Sequence, residues 1–169
     1  AGDSIDRVEG ILNGTCNYIL TRMEADGLDF ATCLAEAQRL GYAEADPTFD
    51  VDGFDTAHKL AILASIAFGT EIDADAMFVD GIRAIEPADL EAADELGFRI
   101  KLLGIASRAP DGIDQRVHPT MVPKGSALAE TSDVLNAVAF FGRAAGEIAL
   151  SGAGAGGAAT ASAVLSDLV

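Results

Sequence analysis

Tryptophan is absent from the 169 residues, and cysteine and tyrosine occur only twice each. The two cysteines, Cys16 and Cys33, form no Cys-x-x-Cys pair, so neither a disulfide framework nor a thiolate metal site is indicated. Each sits inside an apolar helical pattern and reads as a reduced, buried thiol of a cytoplasmic protein. Basic residues are scarce: 11 Lys and Arg stand against 27 Asp and Glu, a net charge of −16. A chain so acidic, with its cations scattered, lacks the basic clusters that nucleic acid or an anionic membrane surface requires. There is no run of 18 apolar residues to cross a bilayer. The opening "AGDSIDRVEG" has neither the basic nor the apolar region of a signal peptide, so none is expected.

Half of the residues are hydrophobic, enough for one ordinary domain with a buried core. "DRVEGIL" predicts a strand over Ile5 to Leu12, followed by a turn at Asn13-Gly14. A helix then runs from about Cys16, with Thr15 as N-cap and Gly27 as its stop. "DFATCLAEAQRLG" predicts a second helix, capped by Asp29, with Phe30, Cys33, Leu34, Ala37 and Leu40 on one face. An acidic loop spans Gly41 to Gly53, and a long helix from Phe54 to Phe68 ends at Gly69. The stretch from Asp73 predicts a short helix, an extended piece near Gly81 to Ile85, and a helix over Pro87 to Leu96.

Beyond Leu96 the pattern changes to period two. "FRIKLLGIASR", "IDQRVHPTMVP", "NAVAFFGR" and "GEIALSG" predict four strands in a mostly antiparallel sheet, because their connections are too short for crossovers. A short helix is expected at Ser126 to Leu135. Helices first and strands later indicate an α+β fold, with N-terminal helices packed on the sheet and a Gly-rich turn and helix to close.

The densest chemistry lies in "GYAEADPTFDVDGFDTAHK", where Glu44, Asp46, Asp50, Asp52 and Asp55 precede Lys59. Asp50-x-Asp52-Gly53 resembles part of a calcium loop whose glycine stands at position six. That register places Lys59 at position twelve, where a bidentate glutamate is essential, so the motif fails. Asp46-Pro47 and Asp52-Gly53 are turn dipeptides, which makes Asp46 and Asp52 turn-formers and leaves Asp50 open. Asp55 and Lys59 are four apart on a helix and share a face. That face is expected to continue through Ile62, Leu63 and Ile66 into the core. A lysine beside the core needs a partner, and Asp55 near the helix N-terminus supplies one. Such a pair serves equally as a structural ion pair or as a poised acid–base, since burial and a neighbouring carboxylate act oppositely on an ammonium.

Other motifs are weaker. His58 points about 100° away from Lys59 and reads as a surface residue. His118 has no second ligand at metal spacing and reads as structural. Asn13-Gly14-Thr15 precedes a helix whose backbone N–H groups can receive an anion, although a turn with an N-cap is the simpler reading. "GAGAGG" follows a strand and opens a helix as dinucleotide fingerprints do, but one helix cannot build a nucleotide domain.

Three blocks, "GILNGTCNYILTRM", "EAQRLGYAEADPTFDVDGFDTAHKLAILASIAFG" and "GAGAGGAATASAVLSDL", closely resemble homoserine dehydrogenases, in order and over nearly the whole chain. The resemblance implies interconversion of L-homoserine and L-aspartate 4-semialdehyde with NAD or NADP, on the route to threonine, methionine and isoleucine. It implies a catalytic and dimerisation domain over residues 1–151, and over 152–169 a segment returning to a Rossmann domain that these blocks do not include. By the same resemblance Lys59 is the catalytic acid–base and Asp55 its partner. Glu44 holds the substrate ammonium, Asp50 lies near substrate, and Gly14 and Thr15 form the substrate-side turn. Gly156 touches the cofactor, and no metal ligand falls within this sequence. A homodimer is implied, and the apolar strand Ala137 to Phe141 suits its interface. The segment alone is expected to lack turnover, and a non-catalytic dimerising or substrate-binding module is the alternative.

Overall fold

The computed structural model describes residues 3–71, 73–74 and 77–168. Its frame is a sheet of six strands: β1 (Ile5–Ile11), β2 (Phe78–Val79), β3 (Phe98–Ala109), β4 (Gly112–Pro123), β5 (Leu135–Gly142) and β6 (Gly146–Ala153). Their order is β2-β4-β3-β1-β5-β6, antiparallel throughout except where β2 runs parallel to β4. The α+β expectation holds, and the four late strands lie where the alternation placed them. The first strand is not peripheral, however, because β1 is inserted between β3 and β5.

Alternation along β3 builds two cores. Ile100, Leu102 and Ala106 face a cluster with the helices, while Leu103 and Ile105 meet Ile11, Ala137 and Ala139 on the other side. Leu128 and Ala129 cover that second cluster. Ala137 and Ala139 are therefore interior residues, which removes them from the surface proposed for a dimer. On the outer strand β6, Ile148 and Leu150 are exposed, and their register opposite Phe140 and Val138 puts them on the face of the helical cluster.

The helices are α1 (Gly14–Asp26), α2 (Phe30–Arg39), α3 (Thr48–Val51), α4 (Phe54–Phe68), α5 (Pro87–Glu95) and α6 (Gly157–Leu168). Gly27 and Gly69 end α1 and α4, and Asp29 caps α2, as the sequence predicts. The cap of α1 is Asn13 rather than Thr15, because the Asn13 side chain accepts the Cys16 N–H. The acidic loop contains the single turn α3. The piece near Gly81 is not extended: the short strand precedes it, and a turn closes from Ile85 N–H to the Ile82 carbonyl. The short helix expected from Asp73 falls partly on residues outside those described.

No helix forms over Ser126 to Leu135, where turns replace it. Ser126 and Thr131 side chains bond the nearby backbone, and Asp133 takes a left-handed conformation, which together interrupt a helical ladder. Helix α4 also buries a different face from the one expected. Thr56, Ala57, Leu60, Ala61 and Ala64 are buried, whereas Ile62 and Ile66 are exposed. Gly104 lets α4 approach the sheet closely, since an added Cβ there would meet Leu60 and Thr56 atoms at 3.3 Å.

Candidate active site

The chain leaves β1 through Leu12 and enters α1 with Asn13 as its cap, so the end of a central strand is fixed beside a helix N-terminus. The acidic loop is brought to the same place by α3 and α4. Gly53 joins these two helices with φ +89°, a left-handed conformation that favours glycine, and a Cβ there would crowd Val79 at 3.1 Å. Asp50 in α3 and Asp55 in the first turn of α4 consequently face Asn13.

The Asn13 amide donates to Asp50 Oδ1 at 2.8 Å and to Asp55 Oδ2 at 2.8 Å. Lys59, one turn along α4, donates to the same Asp55 Oδ2 at 2.7 Å and to the Leu12 carbonyl at 3.1 Å. The lysine side chain is 49% exposed, so the burial expected for it is absent and the pair is held by hydrogen bonds instead. Asp50 is a part-buried carboxylate. Burial pushes its pKa up, reinforced by the Asp55 and Glu44 charges and opposed by the Asn13 amide and Lys59. Beneath it the Cys16 thiol donates to the Asp50 carbonyl at 3.2 Å, and burial pushes that thiol well up.

Asn13, Asp50, Asp55 and Lys59 line a cavity of about 430 Å³ with Gly14, Thr15, Gly41 and Tyr42, and the glycine-rich stretch 153–156 forms a further wall. The structure thus brings together Gly14, Thr15, Asp50, Asp55, Lys59 and Gly156. Thr15 donates to the Tyr42 carbonyl at 2.6 Å, which ties the start of α1 to the loop. Glu44 stands outside this lining, with its carbonyl accepting from Gln38 at 2.9 Å, although its charge reaches Asp50. Asp46 is a turn-former, its carboxylate accepting the Thr48 N–H at 3.1 Å. Asp52 does more, pairing with Arg83 and so bracing the loop against the segment after β2. His58 packs edge-on against Phe49, and His118 contacts its own strand, both away from the cavity.

Two site residues escape the sequence reading. The sequence places Asn13 in a turn with Thr15 as the cap, although asparagine ranks high at N-caps, and its carboxylate partners are distant in the chain. Asn136 of β5 donates to the Leu12 carbonyl at 3.3 Å, sharing that acceptor with Lys59, and has no signature in the sequence. Its Oδ1 is buried with no hydrogen-bond partner among the described residues.

A sequence model of the homoserine dehydrogenase family matches residues 1–169. The homoserine dehydrogenase of Pseudomonas aeruginosa is 51% identical over 169 residues, covering 100% of this chain and 39% of the relative. That of Mycobacterium tuberculosis is 51% identical over 174 residues, covering 100% and 40% respectively. The crystal structure of a homoserine dehydrogenase from Thiobacillus denitrificans superposes with a TM-score of 0.96 at 51% identity, over 98% of this chain and 38% of that one. A hyperthermophilic archaeal homoserine dehydrogenase in complex with NADPH gives a TM-score of 0.82 at 29% identity, over 99% and 47%. The chain spans about two fifths of the length of the curated relatives named here.

Proposed function

We propose, on the premise that the chain belongs to the homoserine dehydrogenase family, that it carries the substrate-binding and proton-handling part of that enzyme. In this reading the complete protein interconverts L-homoserine and L-aspartate 4-semialdehyde in amino-acid biosynthesis. The observation that carries it is the placement of Lys59. An ammonium has three N–H donors. Asp55 and the Leu12 carbonyl accept two, and the third is free to meet a substrate oxygen in the cavity.

Reduction of the aldehyde places negative charge on its oxygen, and Lys59 stabilises that charge and delivers a proton to it. In the oxidative direction the neutral amine takes the hydroxyl proton. The half-exposed side chain then exchanges that proton with water. Asp55 holds the lysine in position. The N-terminus of α1 at Gly14 and Thr15 suits the substrate carboxylate. The carboxylates of Asp50 and Glu44 suit its ammonium.

The hydride comes from or goes to a nicotinamide, and NADP is the cofactor to test first, given the NADPH complex of the archaeal relative. The 153–156 wall fits a flat ring, since an added Cβ at Gly156 would meet nothing within 4 Å and the surface carries no large side chain. Gly156 and its neighbours would hold the ring edge. Residues 152–169 are assigned to a segment that returns to a nucleotide-binding domain, and the exposed Val164, Leu165 and Leu168 of α6 support this. The exposed Ile148 and Leu150 on β6 support a homodimer. Two free, buried thiols suit the cytoplasm.

The test is spectrophotometric. The complete protein should reduce NADP or NAD only when L-homoserine is added, and the isolated 169-residue chain should show no turnover above background. No homoserine-dependent turnover by the complete protein would overturn the assignment. Turnover by the isolated chain would show that it binds cofactor by itself.

A further inference from the structure

Asn13 precedes α1, where a cap needs only its side-chain oxygen. That oxygen is engaged: Oδ1 accepts the Cys16 N–H at 2.8 Å. Because the oxygen faces a backbone donor, the NH₂ end must face the other way. It does so toward two carboxylates, Asp50 and Asp55, which lie 37 and 42 residues downstream on different helices. An asparagine amide has two N–H donors and both are used here, on a residue that is 6% exposed. The Asp55 oxygen that accepts from Asn13 is the same one that accepts from Lys59.

Two carboxylates drawn to one side of a cavity repel each other, and a neutral double donor between them offsets that repulsion without adding charge. A shorter residue would cap α1 but leave Asp50 and Asp55 unlinked. An aspartate would cap it and add a third negative charge. We propose that Asn13 is a positioning residue for proton transfer, clamping Asp50 to Asp55 so that Asp55 presents Lys59 to the substrate oxygen. This rests on the role proposed for Lys59 above. It predicts that Asn13 governs rate more than binding, because the N-terminus of α1 and Glu44, which the clamp does not touch, still hold substrate when Asp50 is loosened.

The experiment uses the complete enzyme and two variants. Asn13→Ser keeps a good N-cap and removes both donors. Its melting temperature should stay within a few degrees of wild type. Its kcat should fall about 10- to 100-fold, as expected for a misplaced catalytic group, with the KM for L-homoserine changed less than about threefold. Without the Asn13 donor Asp50 protonates more readily, so the acid limb of the kcat profile should move to higher pH. Asn13→Asp retains cap and shape and should lose at least as much, and it carries the same prediction should the serine variant fail to fold. A wild-type enzyme that turns over homoserine, beside a serine variant within twofold of it and an unmoved acid limb, overturns the clamp alone. A loss of rate matched by a large fall in melting temperature and no movement of the acid limb reduces Asn13 to a cap and also overturns it. An inactive wild type sinks the functional reading first.

Discussion

Lys101 and Asn17, 84 residues apart in the chain, meet in the interior, with the lysine Nζ donating to Asn17 Oδ1 at 3.1 Å. The same ammonium donates to the Thr131 carbonyl at 2.8 Å, and Asn17 itself bonds the Thr131 and Leu135 carbonyls. This polar knot ties β3 and α1 to the turns that close the second core. Among the described residues no carboxylate accepts from Lys101, which is 2% exposed.

Burial lowers the Lys101 pKa to about 8 from the ordinary 10.5. Between these values the unfolded chain binds the proton more tightly than the folded one, so this residue makes stability rise with pH. The full cost of burying the charge applies below about pH 8 and is relieved as pH approaches 10.5. Urea unfolding of wild type and Lys101→Met should therefore diverge across this range. The difference should move in favour of wild type by an amount on the order of 3 kcal/mol. A difference independent of pH would show that Lys101 titrates alike in both states.

Gly81 presses on the end of α3. An alanine Cβ at this position would fall 2.2 Å from the Val51 carbonyl oxygen and 2.5 Å from the Asp52 Cα, and backbone atoms cannot yield as a side-chain tip can. The contact is secured by Ile82 N–H donating to the Val51 carbonyl at 2.8 Å. Gly81→Ala should cost about 1–3 kcal/mol, as overpacking does, lowering the melting temperature by several degrees. Calorimetry that finds no change would mean that the two segments separate without penalty.

Much of this was readable in the residues. Gly27, Asp29 and Gly69 fixed helix ends through local backbone chemistry, and the strands after Leu96 showed their alternation plainly. The pair Asp55 and Lys59 was legible because its spacing is helical and each is the other's neighbour. Asn13 and Asn136 were not, since their function depends on bonds 37 to 124 residues away. The buried face of α4 was misjudged for a related reason. Hydrophobicity favours Ile62 and Ile66, but the close approach at Gly104 turns Thr56 and Leu60 to the sheet, and the sheet order that imposes this is not local.

A variant at Glu44 tests substrate binding apart from the chemistry. The Glu44 side chain stands outside the cavity lining, near enough for its charge to act on Asp50. If it receives the substrate ammonium, Glu44→Gln should raise the KM for L-homoserine about 10- to 100-fold, the worth of one charge-assisted hydrogen bond. The kcat should stay within about threefold of wild type. An unchanged KM would remove Glu44 from the binding site and leave Asp50 as the carboxylate to test.

Lys59 carries the sharpest test, because its bonds to Asp55 and Leu12 are made by a half-exposed side chain. An exposed ion pair of this kind contributes roughly 0–1 kcal/mol to stability. Removing it should therefore leave the fold intact, and Lys59→Ala in the complete enzyme should melt within a few degrees of wild type. The rate should behave differently. A positioned acid–base contributes about 10²- to 10⁴-fold, and kcat in both directions should fall by that much. Exogenous small amines should restore part of the loss, since they return a proton donor to the vacated space beside Asp55. A variant whose kcat remained within about tenfold of wild type, roughly 1.4 kcal/mol of barrier, would move the proton transfer to another group.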